Sequence, residues 1–505
     1  MTTGPFGIRH AFMHAMIPLS IQSDVESFYH LDGLDLANAS CQGMACFAAR
    51  HLSGERWEQI VGRSPRVYCL GKCYAAPTSG SNETQPVATV HCRRPVVLER
   101  IASGGAPTLE AYRAGGGLVA LERALAEPAE KVVSEVEASQ LRGRGGAGFP
   151  TGKKWRIVAN QNRSSKYVVA NLDEGDPGAY IDRMIGELDP FALLEGMAIA
   201  AHAVGAGKGW IYVRCEYPRA VAVLRQAIAA AQSSESNRVG FLGTDLRFEV
   251  ELVVGRGSYM CGEETAMLNA IEHQRPVARA RPPYVAEQGL FGQPTVVNNA
   301  ETLACIPWII RHGANEFAAM GISGSRGTKV VSLNSLFQRP GLYEVEFGVP
   351  LREIVDDCGG GLQEGSTLSG LIIGGPLAGV VPPTLLDTVF GFNELHTIGA
   401  SVGHGGIVAF DQRTTIAQLV HHVFGFGAYE SCGKCTPCRL GSGAIERMFT
   451  ASTDERTVND TTEQRFVEIV EALRLTSLCG FGTGLAEFAQ SIMRHYSEEL
   501  RSCFK

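Results

Sequence analysis

No uninterrupted apolar run of membrane-spanning length occurs in the 505-residue sequence, and no charged-then-apolar leader opens it. These absences exclude spanning helices and predict a cytoplasmic protein, peripheral to a membrane at most. A basic stripe is missing as well. The 45 Lys and Arg stand against 52 Asp and Glu, a formal charge of −7, which argues against nucleic acid as a partner. With 45% apolar and 19% charged residues the composition is that of an ordinary globular protein. Without a secretion signal, its 14 cysteines are expected to stay reduced and to serve metal rather than disulfides. The length exceeds one hydrophobic core and suggests about three or four domains.

Eight of the cysteines fall into two quartets. Cys432, Cys435 and Cys438 stand at two-residue intervals in one short loop, and Cys479 follows well downstream. One loop aiming three thiolates at a point, with a fourth from a later turn, is what a cubane [4Fe–4S] cluster requires. Near the N-terminus, Cys41 and Cys46 are separated by four residues, and Cys69 and Cys73 by three. Such pairs on two loops suit a binuclear [2Fe–2S] centre. For both quartets the competing reading is a structural zinc site. The remaining six (Cys92, Cys215, Cys261, Cys305, Cys358, Cys503) read mostly as small buried hydrophobes.

Between the quartets the pattern is one of alternation. Helices are predicted over 118–125 and 129–139, split by Pro128. Next comes a glycine-rich stretch containing Gly143, Arg144, Gly145 and Gly146, then Phe149, Lys153 and Lys154. It contains G-x-G-x-x-G, but a dinucleotide fingerprint wants a strand before it and here a helix precedes. The loop offers exposed backbone N–H groups and positive charge from Arg144, Lys153 and Lys154, which suits a phosphate or a flat ring; a plain flexible turn is the alternative. A predicted strand at 167–170 empties into Asn171, Asp173, Glu174 and Asp176, at the carboxyl end where open α/β sheets bind ligands. Helix 190–204, strand 210–214, helix 218–231 and strand 247–254 continue the alternation of a β/α domain. After it, Tyr259 and Gly262 lead to Glu263 and Glu264 in a first helical turn, where carboxylates also simply complement the helix dipole. Asn298 and Asn299, followed by Thr302, offer amides to a ring edge or cap a helix. A further strand is expected at 87–92, and a helical bundle from Thr415 onward.

The strings GRGGAGFPTGKKW, NLDEGDPG, CGEET, PTVVNNAETL and SCGKCTPCR, in that order, resemble the NADH-binding flavoprotein subunit of respiratory complex I. They also resemble its relatives in soluble NAD-linked formate dehydrogenases and NAD-reducing hydrogenases, from about Tyr112 to the C-terminus. The N-terminal quartet resembles the thioredoxin-like [2Fe–2S] domain of the small flavodehydrogenase subunit. The resemblance implies a multidomain α/β architecture: a thioredoxin-like domain (1–100), a Rossmann-like FMN- and NADH-binding domain (105–322), a β-grasp module (325–412) and a helical bundle carrying [4Fe–4S] (413–505). It implies a flavin pocket lined by Gly143, Arg144, Gly145, Gly146, Lys154 and Asn171. Asp173, Glu174, Tyr259, Gly262, Glu263 and Glu264 would continue it, with Val297, Asn298, Asn299 and Thr302. Phe149, Lys154, Asp176, Glu264 and Tyr284 would face NAD(H); at Asp176 the family usually carries Glu and at Tyr284 Phe. His404 stands where relatives commonly have Ser, and is expected to be a packing or solvent-facing residue of a glycine turn. The implied function is a diaphorase subunit, with no general base, that exchanges a hydride between NAD(H) and FMN and prefers NAD to NADP. Its implied partners are other iron–sulfur subunits and, as the preferred assembly, a molybdenum- or tungsten-bearing formate dehydrogenase subunit. A hydrogenase or complex I assembly, or a zinc-stapled scaffold without redox work, are the alternatives.

Overall fold

The structure, a computed structural model, describes residues 19–62, 65–233, 240–450 and 460–504. Its first strand, β1 (Val87–His91), leaves the N-terminal cysteine segment and pairs in parallel with Gly341–Glu346. This corrects the expected thioredoxin-like domain. Among the described residues, those before β1 contain short helices and isolated bridges, such as Cys41 with Val67, but no sheet of their own. The half-exposed β1 instead covers the open edge of another sheet.

The α/β region follows its sequence pattern closely. Strands β2 (Tyr167–Leu172), β3 (Lys208–Val213), β4 (Glu249–Val254) and β5 (Thr295–Asn299) form a parallel sheet in the order β4-β3-β2-β5. The apolar runs of β2, β3 and β5 are those of strands covered on both faces. Around them lie α1 (Ala129–Ala138), α2 (Thr151–Ala159), α3 (Ile181–Leu188), α4 (Pro190–Val204), α5 (Pro218–Ala231), α6 (Glu264–Ile271) and α7 (Ala300–His312). Helix α4 is buried at every position but His202, which makes it the central core helix. Proline opens α4 and α5 at a position where no amide hydrogen is needed. Strands β2, β3 and β4 step one way across the sheet, whereas β5 lands on the other side of β2. Their carboxyl ends therefore diverge at a topological switch point between β2 and β5, the place where such sheets leave a crevice for ligands.

A second, mixed sheet contains β6 (Thr328–Leu333), β7 (Gly341–Glu346), β8 (Leu368–Ile373), β9 (Val380–Val381) and β10 (Gly406–Asp411), in the order β1-β7-β6-β10-β8-β9. It docks on the α/β region through a fully buried ion pair. The Lys329 ammonium on β6 donates to Glu301 of α7 and to the carbonyl of His404, 2.9 Å away, while Glu301 accepts the Val330 amide at 3.0 Å. The chain ends in a bundle of α8 (Ile416–Glu430), α9 (Thr436–Met448), α10 (Asp460–Thr476) and α11 (Gly480–His495), begun by a capping box between Thr415 and Gln418. No helix among the described residues is long and apolar enough to cross a membrane.

Removing one member of a buried pair strands the other. Lys329→Met is expected to destabilise the protein by about 3–5 kcal/mol, read as a lower urea midpoint, and adding Glu301→Leu should recover much of that loss.

Candidate functional site

The crevice between β2 and β5 is floored by the glycine-rich loop ahead of α2. Backbone bonds from Gly143 to Phe149 (2.9 Å) and from Thr151 to Leu141 (2.8 Å) close that loop into a tight lobe. Gly146, at φ +112°, bridges Gly403 from the second sheet, so both sheets contribute main chain to the site. A side chain at Gly145 would come within 2.7 Å of the Asn299 side chain. The result is a bare amide surface with little side-chain bulk, a shape suited to a flat, phosphorylated ligand.

Arg144 departs from expectation. Its amide donates to the Thr302 hydroxyl (2.8 Å), but its guanidinium is buried, turned to the carbonyls of Arg142 (3.0 Å) and Arg326 (2.7 Å) and lying 4.9 Å from the Phe347 ring. It staples the loop to the Arg326 turn ahead of β6 and lends no cation to the surface. The Asn171 side-chain amide donates to the Gly262 carbonyl at 2.9 Å. Glu174 is fully buried and accepts the amides of Ile181 (2.9 Å) and Arg183 (3.2 Å), so it caps the start of α3; burial, then neighbouring Asp182, hold its carboxyl well above the usual range. Asp173 is different. Burial pushes its carboxyl up to about 8, and one of its oxygens has no hydrogen-bond partner in the protein.

Several candidates serve the frame and the site together. Asn298 accepts the Trp155 indole N–H at 2.9 Å; Asn299 caps α7 by accepting the Thr302 amide at 3.1 Å. Glu263 caps α6 through the amides of Thr265 and Ala266, both at 2.9 Å, and pairs with Arg281. Beside it Glu264 meets Lys154 at 3.3 Å and Arg281 at 3.1 Å, and Lys154 also donates to the Val297 carbonyl at 2.9 Å. The Phe149 ring lies 6.0 Å from the Lys154 ammonium. Both Phe149 and Tyr284 are large aromatics left 42% and 57% exposed. Phe149, Lys154 and Glu264 thus come together on an open shelf with Arg281, three residues before Tyr284. Asp176 does not present its carboxylate there: one oxygen accepts the Tyr259 hydroxyl and the other accepts His404 Nδ1 at 2.8 Å.

His404 is the residue that the sequence reading missed. Expected to be packing or solvent-facing, it is buried, with Nδ1 on Asp176 and Nε2 3.5 Å from Asp182. Burial by itself would lower its pKa, but hydrogen bonds to Asp176 and Asp182 carry it well above the ordinary histidine value. The one available signal was its glycine setting, Gly403-His404-Gly405-Gly406, which lets the main chain approach another loop closely.

The N-terminal quartet and Cys438 lie in the main hydrophobic core, with Cys432, Cys435 and Cys479 partly buried against it. Cys435 is the residue before α9 and Cys438 lies in its first turn, while Cys479 immediately precedes α11. Helix starts favour thiolate charge. Burial above all, with the neighbouring thiols of Cys435, Cys479 and Cys432, pushes Cys438 up to about 12, and the Ser431 hydroxyl opposes this. Cys438 is buried, and Cys432, Cys435 and Cys479 are half-buried. Lys434 donates to the Ala278 carbonyl at 2.8 Å and ties the cysteine loop toward the shelf. The Tyr259 ring bridges the two regions, 5.1 Å from Phe426 and 5.5 Å from Phe481. At the N-terminal quartet all four thiols are buried, and amides of Gly43 and Gly71 lie 3.5 and 3.3 Å from the sulfurs of Cys41 and Cys69.

The sequence pattern described as the Nuo51 FMN-binding domain matches residues 136–308, and that of the NADH-ubiquinone oxidoreductase-F iron-sulfur binding region matches 418–503. The NADH-quinone oxidoreductase F 2 subunit of Rhizobium meliloti (strain 1021) is 38% identical over 80% of this chain and 96% of its own length. The chain belongs to the family of NADH-quinone oxidoreductase F subunits. Another relative, NADP-reducing hydrogenase subunit HndC of Solidesulfovibrio fructosivorans, is 37% identical over 78% of this chain and 80% of its own. A solved NAD+-reducing [NiFe]-hydrogenase in its H2-reduced state superposes with a TM-score of 0.81 at 26% identity, covering 99% of this chain and 90% of that one. As a member of this family, the chain carries an FMN-binding domain and a [4Fe–4S]-binding region. The unpartnered Asp173 oxygen and the bare glycine surface fit a polyhydroxylated, phosphorylated flavin, and the thiols of Cys435, Cys438 and Cys479 at helix starts, with Cys432 in the loop after α8, fit the cluster.

Asp173 supplies a pH test in the cofactor-free protein. Its folded pKa of about 8 lies above the unfolded value of about 3.9. The stability it contributes is therefore complete below about pH 4 and lost as pH rises through about 8. The melting-temperature advantage of Asp173→Asn over wild type should grow across that interval and level off above it.

Proposed function

We propose that the chain is a diaphorase subunit that binds NAD(H) on the Phe149–Tyr284 shelf beside an FMN seated between β2 and β5. When bound, FMN supplies the conversion between two-electron hydride exchange and one-electron transfer. The chain's own residues do the rest by placement. Gly143, Gly145 and Gly146 present main chain to the ring and phosphate, and the free oxygen of Asp173 accepts a ligand hydroxyl. Lys154 and Glu264 fix the edge that both ligands share. No side chain is needed as a general base. Cys432, Cys435, Cys438 and Cys479 hold the outlet cluster across Tyr259 and Phe481. The observation that carries this reading is the buried, unpartnered Asp173 oxygen at the switch-point crevice, in a chain whose FMN-binding pattern spans that crevice.

The buried Cys41, Cys46, Cys69 and Cys73, two of them receiving backbone N–H groups, support a second centre of the [2Fe–2S] type. Electrons then pass to other iron–sulfur subunits of a cytoplasmic complex. For the terminal substrate, the sequence resemblance favours formate and a molybdenum or tungsten subunit. Structural likeness over 99% of the chain, N-terminal segment included, favours a hydrogenase-type assembly. Metal analysis of the native complex separates them, by molybdenum or tungsten in one case and nickel in the other.

A carboxylate beside the adenosine ribose repels a 2′-phosphate, so kcat/KM for NADH should exceed that for NADPH by at least about tenfold, roughly 1.4 kcal/mol of discrimination; equal values would remove the assignment. The anaerobically purified protein should be brown and bleach with NADH, whereas a colourless protein holding zinc and no flavin would establish the scaffold alternative. Cys435→Ser should keep NADH-to-dye activity near wild type while reduction of the partner protein drops by about a hundredfold or more, about 2.7 kcal/mol in transfer.

A further inference from the structure

The flavin-side carboxylates form an unusually dense buried group. Asp173, Glu174, Asp176 and Asp182 are all buried within the turn from β2 into α3. Their surroundings decide which cation balances them. Arg183 is taken by Glu187 (2.6 Å) and Arg214 by Glu216; Lys329 is taken by Glu301. Among the described residues, this leaves His404 as the cation set directly on the group, with Nδ1 on Asp176 and Nε2 toward Asp182.

The buried carboxylates on either side of the ring favour a hydrogen on both nitrogens of His404. Each nitrogen faces a carboxylate oxygen. At Nε2 the Asn299 amide nitrogen also approaches (3.3 Å); one of its two hydrogens is engaged with Asp182, whose carboxylate lies 3.5 Å from the ring nitrogen. Around the ring, Asp176 and Asp182 pair with it directly, and Asp173 and Glu174 act on it through space. The Lys329 ammonium holds its carbonyl. The turn that carries the ring cannot drift, because Gly403 bridges Gly146 of the glycine loop. Tyr259, on the far oxygen of Asp176, extends the chain of contacts to the aromatic group beside Cys479.

We propose that His404 is a positioning residue of the flavin pocket: a fixed imidazolium, delivered by the second sheet, that clamps Asp176 and Asp182 and sets the reduction potential of the bound FMN. A buried positive charge favours whichever state of a redox group holds more electrons, and a buried negative charge disfavours it, because the low local dielectric screens neither. Removing the cation and removing its carboxylate partner must therefore act in opposite directions. General damage to the pocket would move both the same way.

This inference rests on the flavin reading above, and potentiometry of the full iron–sulfur-loaded chain keeps the two separate. The FMN midpoint potential is measured in wild type, His404→Gln and Asp176→Asn, with FMN content determined in each. His404→Gln is expected to shift the potential negative by at least a tenfold change in the oxidised-to-reduced equilibrium, about 30 mV for a two-electron couple. Asp176→Asn is expected to shift it positive. Unchanged potentials, or shifts of the same sign in both variants, overturn the role of His404 and leave the flavin assignment standing. Wild-type protein that takes up no FMN overturns the assignment itself.

Discussion

The docking of the second sheet over the β2–β5 crevice is the constraint on which the site depends. Lys329 and Glu301 are charged groups removed from water, and such a pair is tolerated only when both ends are fully engaged. Here they are, and two of their engagements, the His404 carbonyl and the Val330 amide, belong to the second sheet. The pair therefore does more than hold two layers together. It sets the height of the Gly403–His404 turn above the glycine loop, and through that turn the position of Asp176 and the orientation of Tyr259. A parallel sheet by itself provides only an open groove at its switch point; the second sheet brings the Gly403–His404 turn against the glycine loop beside it.

Within the pocket, charge is managed by backbone geometry as much as by ion pairs. Glu174, Glu263 and Asn299 each satisfy the free amides at a helix start while standing beside the candidate ligand surface. The same principle operates at the C-terminal cysteines, where the starts of α9 and α11 meet the thiols. Helix starts converge from both sides of Tyr259. Their partial positive charge is well matched to a flavin phosphate on one side and a thiolate-bound cluster on the other.

Local elements were largely legible in the sequence because local rules decide them. Pro190 and Pro218 stand at the helix starts expected there, and β2 and β3 are legible as short apolar runs. The thiol quartets were legible because ligand spacing along one loop is a sequence property. What escaped were contacts between segments far apart in the chain. Nothing near Val87 reveals that β1 will seek the edge at Gly341, and nothing near Gly403 names Asp176 as the partner of His404. Arg144 misled for the same reason: its charge was visible, but the carbonyl of Arg326 and the ring of Phe347 that draw it inward were not.

Arg214 carries a consequence for how the molecule could be rebuilt. Its buried guanidinium reaches the carbonyl of Glu174 on one side and that of Cys69 on the other, while Tyr217 bonds the same Glu174 carbonyl and packs against Gly71. The front segment is thus keyed into the turn that shapes the crevice. Swapping it for a foreign electron-transfer module would take the Cys69 carbonyl from a buried guanidinium and leave it Glu216 and the Glu174 carbonyl, so chimeras should be cut well downstream of the Cys69–Cys73 loop or supply a carbonyl in its place.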